Sequence, residues 1–343
     1  MGAITHTPAE KTLIDLLDGA EDWRAAARDA VVRFGLPTKR AEAWKWSDLR
    51  RASQGIETAG QARFLINGET AADRLTVSED AALELVAEPG ISVASLEIDV
   101  PAGARVVLKE RYKLADGAFP TARLEISLGE GAVLERVVLG DTPQDSIPVV
   151  RTRIRVSKQS HYRQIALTFG SKLTRNETHI THAGEGAEVE IGGVYLLEEG
   201  RHADFTSTVS HTGPGGVTHQ LVKGAAAAQA QGVFQGKFKV EQAAQQTDAK
   251  MTHRALMLDD RAEIDAKPEL EIYADDVQCA HGNALGAIDE TALFYMRQRG
   301  LSEVKARAML IESFLAEPLD MISDDVLRDE LAAILRQRLG AIG

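Results

Sequence analysis

The chain has 343 residues, 44% of them hydrophobic, with 39 basic against 51 acidic side chains and a net charge of −12. That apolar content builds a real core in one large domain or two to three smaller ones, and the acidic balance argues against a nucleic-acid backbone binder, which needs a basic face. A single cysteine excludes an internal disulfide and fits a reducing compartment.

The first stretch, MGAITHTPAEKTLIDLL, has no basic segment leading into an apolar run, so no signal peptide is expected. No apolar stretch approaches the roughly 20 residues that span a bilayer. The alanine-rich GAAAAQAQG at 224–232 is too short. A cytoplasmic protein with no membrane and no nucleic-acid partner is the expectation.

Residues 1–75 read as a helical cap and a connection. Leu13, Leu16, Leu17 and Ala20 fall at helical spacing. A second helix, DWRAAARDAVVRF at 22–34, stops at Gly35 before Pro37. The following PTKRAEAWKWSDL carries Trp44 and Trp46, two of the three tryptophans, expected to anchor the cap on the body. Residues 51–75 are weakly patterned and read as the connection.

From 76 to 285 the texture is short alternating runs: ARLEIS (122–127), AVLERVVL (132–139), RTRIRV (151–156), YRQIALTF (162–169), AEVEIGGVYLL (187–197), ADFTSTVSH (203–211), VFQGKFKV (233–240) and PELEIYA (268–274). Alternation at period two predicts half-buried strands. Glycine-rich separators divide them: GEGA at 129–132 and again at 184–187, GPGG at 213–216. A large sandwich or barrel fits, and so does a solenoid of short strands, which the recurring unit of turn, small residue and alternating run favours. No fixed period appears. The GEGA copies stand 55 residues apart and nothing matches at the next interval.

Residues 286–343 turn helical again. Asp289 is placed to cap a helix over ETALFYMRQR, with Gly300 past its end. Ser302 caps the next, with Val304, Ala308, Ile311 and Leu315 as its apolar stripe and Pro318 as its stop. Ser323 caps a third, with Asp324 and Asp325 in its first turn and Leu327, Leu331, Ile334 and Leu335 as its stripe, ending at Gly340. Those stripes must lie on the body or on a partner.

The chemistry centres on EIYADDVQCAHGN at 271–283. Cys279 and His281 are both metal-ligand types, and on a strand residues i and i+2 share a face. One cysteine and one histidine are half of a four-ligand site. They are either a small core cysteine beside a hydrogen-bonded histidine, or a half-site completed by another chain. His179 and His182 fall on opposite strand faces and read as unrelated. His202, His211 and His219 are spread over 18 residues with no spacing that demands stacking. HExxH, CxxC, the Walker loop, GxGxxG before a helix and GxSxG are absent. The acid pairs Glu198–Glu199, Asp259–Asp260, Asp275–Asp276 and Asp324–Asp325 read mostly as solvated turns or helix starts. The enzyme alternative is a cytoplasmic β-helix protein acting on polysaccharide through carboxylates on one face. Such enzymes are usually exported, which weighs against it.

The runs VFQGKFKV…AQQTDAK and ALMLDDRAEIDAKPELEIYADDVQCAHGNALGAIDETALFYMRQRGL resemble the core signature of the SufB/SufD family, scaffold subunits of the SUF iron–sulfur cluster assembly machine. The match extends back through HADFTSTVSHTGPGG and forward through ARAMLIESFLAEPLD, covering about residues 190–320. The form DDVQCAHG, the cap segment PTKRAEAWKWSDL and the short length resemble the SufD branch. The resemblance implies a mainly β chain: a right-handed parallel β-helix (76–285) with an N-terminal helical cap and connection (1–75) and a C-terminal helical domain (286–343). It implies a non-catalytic scaffold that pairs with a SufB-like subunit through the β-helix and with a SufC-like ABC ATPase through the C-terminal helices. Leu293, Phe294, Tyr295, Arg297, Arg299, Met309 and Phe314 would dock the ATPase. A transient iron–sulfur cluster shared with SufB would use His281 first and Cys279 second, with no cofactor held stably by this chain alone. In isolation a homodimer is the alternative assembly. Two places depart from the family. Asn283 follows CAHG where alanine is usual, and Thr252 and His253 stand where asparagine or glutamine is expected. The latter read as tolerated surface drift along the solenoid.

Overall fold

Short alternating runs that end in left-handed turns can stack only by returning to the same place once per turn. The chain does so in the computed structural model, which describes residues 5–341. In chain order the strands are β1 (Ala62–Ile66), β2 (Glu69–Thr70), β3 (Arg74–Thr76), β4 (Ala81–Ala87), β5 (Gly90–Val100), β6 (Arg105–Leu114), β7 (Ala118–Leu128), β8 (Val133–Gly140) and β9 (Val149–Val156). Next come β10 (His161–Thr168), β11 (Thr174–His182), β12 (Glu188–Leu197), β13 (His202–His211), β14 (Val217–Ala226), β15 (Gln231–Val240), β16 (Asp248–Met257), β17 (Glu263–Ile272) and β18 (Gln278–Gly286). One sheet runs β18-β16-β14-β12-β10-β8-β6-β4-β1-β2 and the other β17-β15-β13-β11-β9-β7-β5-β3. From β3 onward each strand pairs in parallel with the strand two later. The body is therefore a parallel β-solenoid of about seven turns, not a sandwich or closed barrel.

The register explains the missing period. Val133 pairs with His161, which pairs with Glu188, then Val217, Asp248 and Gln278, so successive offsets are 28, 27, 29, 31 and 30 residues. The two GEGA copies lie two turns apart. In the turn between them the chain reads SKQS, and Gln159 takes φ +56° where Gly131 has +67° and Gly186 +76°. Gln246, at +60°, does the same one turn beyond Gly215. The backbone repeats while the residue changes, because a left-handed φ is permitted to non-glycine residues at a cost.

The helices cover the two sheets separately. Helices α1 (Pro8–Leu16), α2 (Trp23–Phe34) and α3 (Leu49–Ala52) lie over the odd-numbered sheet, where Leu13, Leu17, Val31 and Trp44 meet Ile91, Phe119, Ile147 and Leu173. Leu16 faces outward. The Trp44 ring stacks on the buried guanidinium of Arg175, 4.1 Å from its centroid. Ser47 Oγ donates to Asp204 Oδ2 at 2.5 Å. Of the two tryptophans expected to anchor the cap, Trp44 is built into the solenoid wall, while Trp46 is half-buried with Lys45 Nζ 4.9 Å from its ring centroid. Strands β1–β3 fall in the segment read as a connection; at five, two and three residues they are too short to show a pattern.

Of the C-terminal helices α4 (Glu290–Gln298), α5 (Glu303–Ala316) and α6 (Asp325–Ala341), α5 and α6 sit on the even-numbered sheet and α4 packs on α5. Ile311, Leu315, Leu327, Leu331 and Leu335 pack on Val137, Leu139, Ile165, Leu167 and Val194. This second burial makes β8 and β10 apolar on both faces over their last residues, so alternation fades there. Two sequence expectations are corrected. Val304 is 54% exposed, and the inward face of α5 is Ala306, Ile311 and Leu315. Asp324, not Ser323, caps α6, its Oδ1 accepting from the N–H of Val326 (2.9 Å) and Leu327 (3.2 Å). The Ser323 N–H instead donates to the Glu135 carboxylate at 3.1 Å, tying the helix start to the sheet.

Candidate interface at the open end of the solenoid

The last turn ends in β17 and β18, each paired on one edge only. In β18, Cys279 aligns with Ala249, His281 with Met251, Asn283 with His253 and Leu285 with Ala255. Those four partners in β16 are all 2% exposed or less. Side chains at the same register position stack along a parallel ladder. Cys279, His281, Asn283 and Leu285 therefore occupy the inward-facing row, with no further turn to cover them. His281, Asn283 and Leu285 are exposed and Cys279 is half-buried.

The two predicted ligands do share a face. Cys279 packs against a small cluster of Val240, Ala244, Ala274 and Val277. Burial raises its thiol above the ordinary value, which disfavours the thiolate. His281 makes no side-chain hydrogen bond among the described residues, leaving both ring nitrogens open. Asp275 and Asp276 lie exposed in the turn between β17 and β18. The Asp276 N–H donates to Gln245 Oε1 at 2.9 Å, and its carbonyl accepts from the Gln246 N–H, so this acid pair organises a turn. Among the described residues no group of three His, Cys, Asp or Glu side chains converges as a metal site.

Behind this row lies a hydrogen-bonded chain that corrects the reading of His253 as surface drift. His253 is fully buried and stacks on Phe234, ring centroids 4.7 Å apart. Its Nδ1 lies 2.7 Å from Asn283 Oδ1 and its Nε2 3.0 Å from Tyr195 Oη. With the amide oxygen as acceptor, Nδ1 carries the proton and Nε2 accepts from the tyrosine hydroxyl. Burial lowers the His253 pKa to about 4, so the ring is neutral near pH 7. The Tyr195 ring fits because its register neighbour is Gly224, where a Cβ would stand 1.8 Å from the ring. The two departures at 253 and 283 are thus one interaction. A second pair, His182 and His211, stacks at 4.6 Å on successive turns. The pairs are 30 and 29 residues apart, the solenoid offset, and knowing that offset would have aligned them in the sequence.

The helical residues singled out as a docking set divide. Phe294 (62%), Tyr295 (58%) and Met309 (44%) are exposed, and Arg297 and Arg299 are exposed with them. Leu293 is buried within the chain. Phe314 is half-buried under Lys223, whose Nζ is 4.4 Å from its ring centroid, and so holds α5 to β14. Phe294 and Arg297 line a depression of about 390 Å³ with Gln298, Leu301, Ser302 and Glu303.

A family model described as "SUF system FeS cluster assembly, SufBD core domain" matches residues 84–314. The chain belongs to the SufBD family. The match takes in most of the solenoid, β18 and helices α4 and α5. Among SufBD relatives, the iron–sulfur cluster assembly SufBD family protein of Synechocystis is 39% identical over 58% of this chain and 44% of its own length. The iron–sulfur cluster assembly protein SufD of Escherichia coli is 29% identical over 71% of this chain and 58% of its own. A chloroplastic protein of Arabidopsis thaliana, ABCI7, is 32% identical over 60% and 44%. The chain spans about half the length of these curated relatives. No helix among the described residues is long and apolar enough to cross a membrane.

Proposed function

We propose that this SufBD-family chain is a non-catalytic, SufD-like scaffold subunit that carries half of a cluster-assembly interface at the open end of its solenoid. The observation that carries the reading is the uncovered inward row of β18, where Cys279 and His281 face the place the next turn would occupy. A long unprotected edge is normally a liability, and covering it with a partner's solenoid resolves that. The partner in this reading is a SufB-like subunit, and an iron–sulfur cluster is cargo held between the two chains. His281 is the leading ligand because it is exposed with both nitrogens open, and Cys279 is second because its thiol is partly buried. The exposed Phe294, Tyr295, Arg297, Arg299 and Met309 on α4 and α5 are the contact for a SufC-like ATPase.

Anaerobic purification of the tagged chain from its host, with native mass determination, tests the reading. The expected result is recovery with a second solenoid subunit and ATPase copies, and an unfolding midpoint unchanged in His281→Ala while cluster formation by the complex falls. Recovery of the chain alone or as a self-dimer, or a His281→Ala complex that assembles clusters at the normal rate, would remove the half-site.

A further inference from the structure

Helix α2 packs along α1 through Val31 and Ala27 and is tied down at its two ends, with a cleft left between it and the sheet. At its start, the Trp23 ring lies 5.1 Å from the Arg123 guanidinium carbon. Past its end, the Leu36 N–H donates to the buried Glu10 carboxylate at 2.7 Å. Of its 12 residues only Val31 is buried, and Phe34 is 75% exposed. An apolar helix face needs something to lie on. Here it roofs a cleft of about 1390 Å³, larger than the roughly 300–1,000 Å³ of ordinary ligand sites.

The floor of that cleft is cationic. Lys39, Arg40, Arg50, Arg123, Arg151 and Arg153 line it, against a single lining acid, Asp48, with Arg50 paired to the buried Glu10 at 3.0 Å. In a chain with 51 acidic and 39 basic residues this is a local reversal of sign. Arg123 and Arg151 are register neighbours on β7 and β9, and like charges side by side on one sheet face are unfavourable. Glu125 and Glu177 answer part of that charge: Arg123 pairs with Glu125, and Arg151 Nε lies 3.0 Å from Glu177. Arg153 forms no ion pair among the described residues, because its register neighbour Glu125 is engaged with Arg123 and with Arg155 at 3.6 Å. Lys39 and Arg40 on the rim likewise form none. The floor continues past the cleft into a depression of about 410 Å³ that shares Arg123 and Arg153 and adds Arg155, His179 and the acid Glu125. The apolar wall presents Ala26, Ala30 and Phe34 to solvent in front of the buried Leu13, Leu17 and Val31.

We propose that the cleft between α2 and the face of β7 and β9 binds an organic anion, its charged head on Arg151 and Arg153 and its apolar body beneath α2. Guanidinium groups recognise carboxylate, phosphate and sulfonate oxygens through paired charge-assisted hydrogen bonds. The hydrocarbon or aromatic body covers Ala26, Ala30 and Phe34, which the chain leaves exposed. The site is separate from the open end of the solenoid and does not depend on the role proposed for it.

Two fluorescent probes with the same aromatic skeleton test this on the full chain at low salt: 8-anilinonaphthalene-1-sulfonate, which is anionic, and N-phenyl-1-naphthylamine, which is not. The anion is expected to bind at least tenfold more tightly. Arg151→Gln with Arg153→Gln should weaken the anion about tenfold and leave the neutral probe unchanged, with the unfolding midpoint as a check on folding. Ala30→Trp, at an exposed roof position, should exclude both probes. Equal affinity for the two probes, or an unchanged anion affinity in either variant, would overturn the proposal. A dimer mass for the chain that Ala30→Trp disperses would also overturn it, since the occupant would then be a second copy.

Discussion

Strands β16 and β18 are neighbours in one sheet with matched registers, and their inward rows have opposite fates. Ala249, Met251, His253 and Ala255 are sealed, while His281, Asn283 and Leu285, one turn on, face solvent. Chemistry alone does not separate the rows, since each carries a histidine and aliphatic residues. Position does: the first row has a turn on both sides and the second on one. In a solenoid each repeat contacts only its neighbours. A residue's energetic weight is therefore set by where it falls along the stack, and an end row is free to serve a partner.

The comparison breaks most visibly where the sealed interior holds charge. Glu110 and Arg136 are 1% and 2% exposed, and Arg136 Nε donates to Glu110 Oε2 at 2.7 Å. Gln164 Oε1 takes a second guanidinium hydrogen at 2.8 Å. Removing one partner of such a pair strands the other charge out of water. Glu110→Ala should cost about 3–5 kcal/mol in urea unfolding. A loss under about 1 kcal/mol would mean the interior admits water and is not sealed.

A medium effect sharpens the contrast through pH. Burial pushes His211 down to about 3 and lowers His182 as well. Above about pH 6.5 these rings are neutral in both the folded and the unfolded chain. As pH falls below that, the unfolded chain takes up protons that the folded chain refuses. Stability therefore drops by about 1.4 kcal/mol per pH unit per histidine, until the folded value is reached. Between pH 7 and 5 carboxylates contribute little to the slope. His211→Gln should flatten it, measured as urea midpoints at several pH values; an unchanged slope would take His211 out of the account.

The smallest effect is expected at the open end. Leu285→Ser shortens an inward-facing side chain that is already 45% exposed, and should change stability by no more than roughly 0.5 kcal/mol. A cost of 2 kcal/mol or more, of order a core truncation, would show that the end row is covered in the isolated chain.

Much of this architecture was legible because alternation survives wherever a strand has one wet face, as in RTRIRV or ARLEIS. Strands β11, β14 and β16 escaped because their buried positions hold Thr174, Thr178, His182, Gln220 and His253. A polar side chain reads as outward until its partner one turn away is known. Arg136 and Gln164, 28 residues apart and joined at 2.8 Å, are such a pair. The shared face of Cys279 and His281 followed from their spacing alone. That this face points inward, at an end, did not follow from spacing, because the side of a strand and the last turn of a stack are properties of the whole chain. The same gap turned His253 from a buried link into apparent drift.

The two ends of the stack differ in one further respect. The first ends in β2 and β3, two and three residues long, with β1 antiparallel to β4 and β2 antiparallel to β1. The other ends in β17 and β18, ten and nine residues of straight parallel ladder. A rod with two sticky ends polymerises without limit. A rod with one blunt end and one sticky end can join a single mate and then has nothing left to offer. Under the pairing proposed for the open end, this asymmetry would limit end-to-end assembly to a pair and keep the exposed ladder from seeding a fibre.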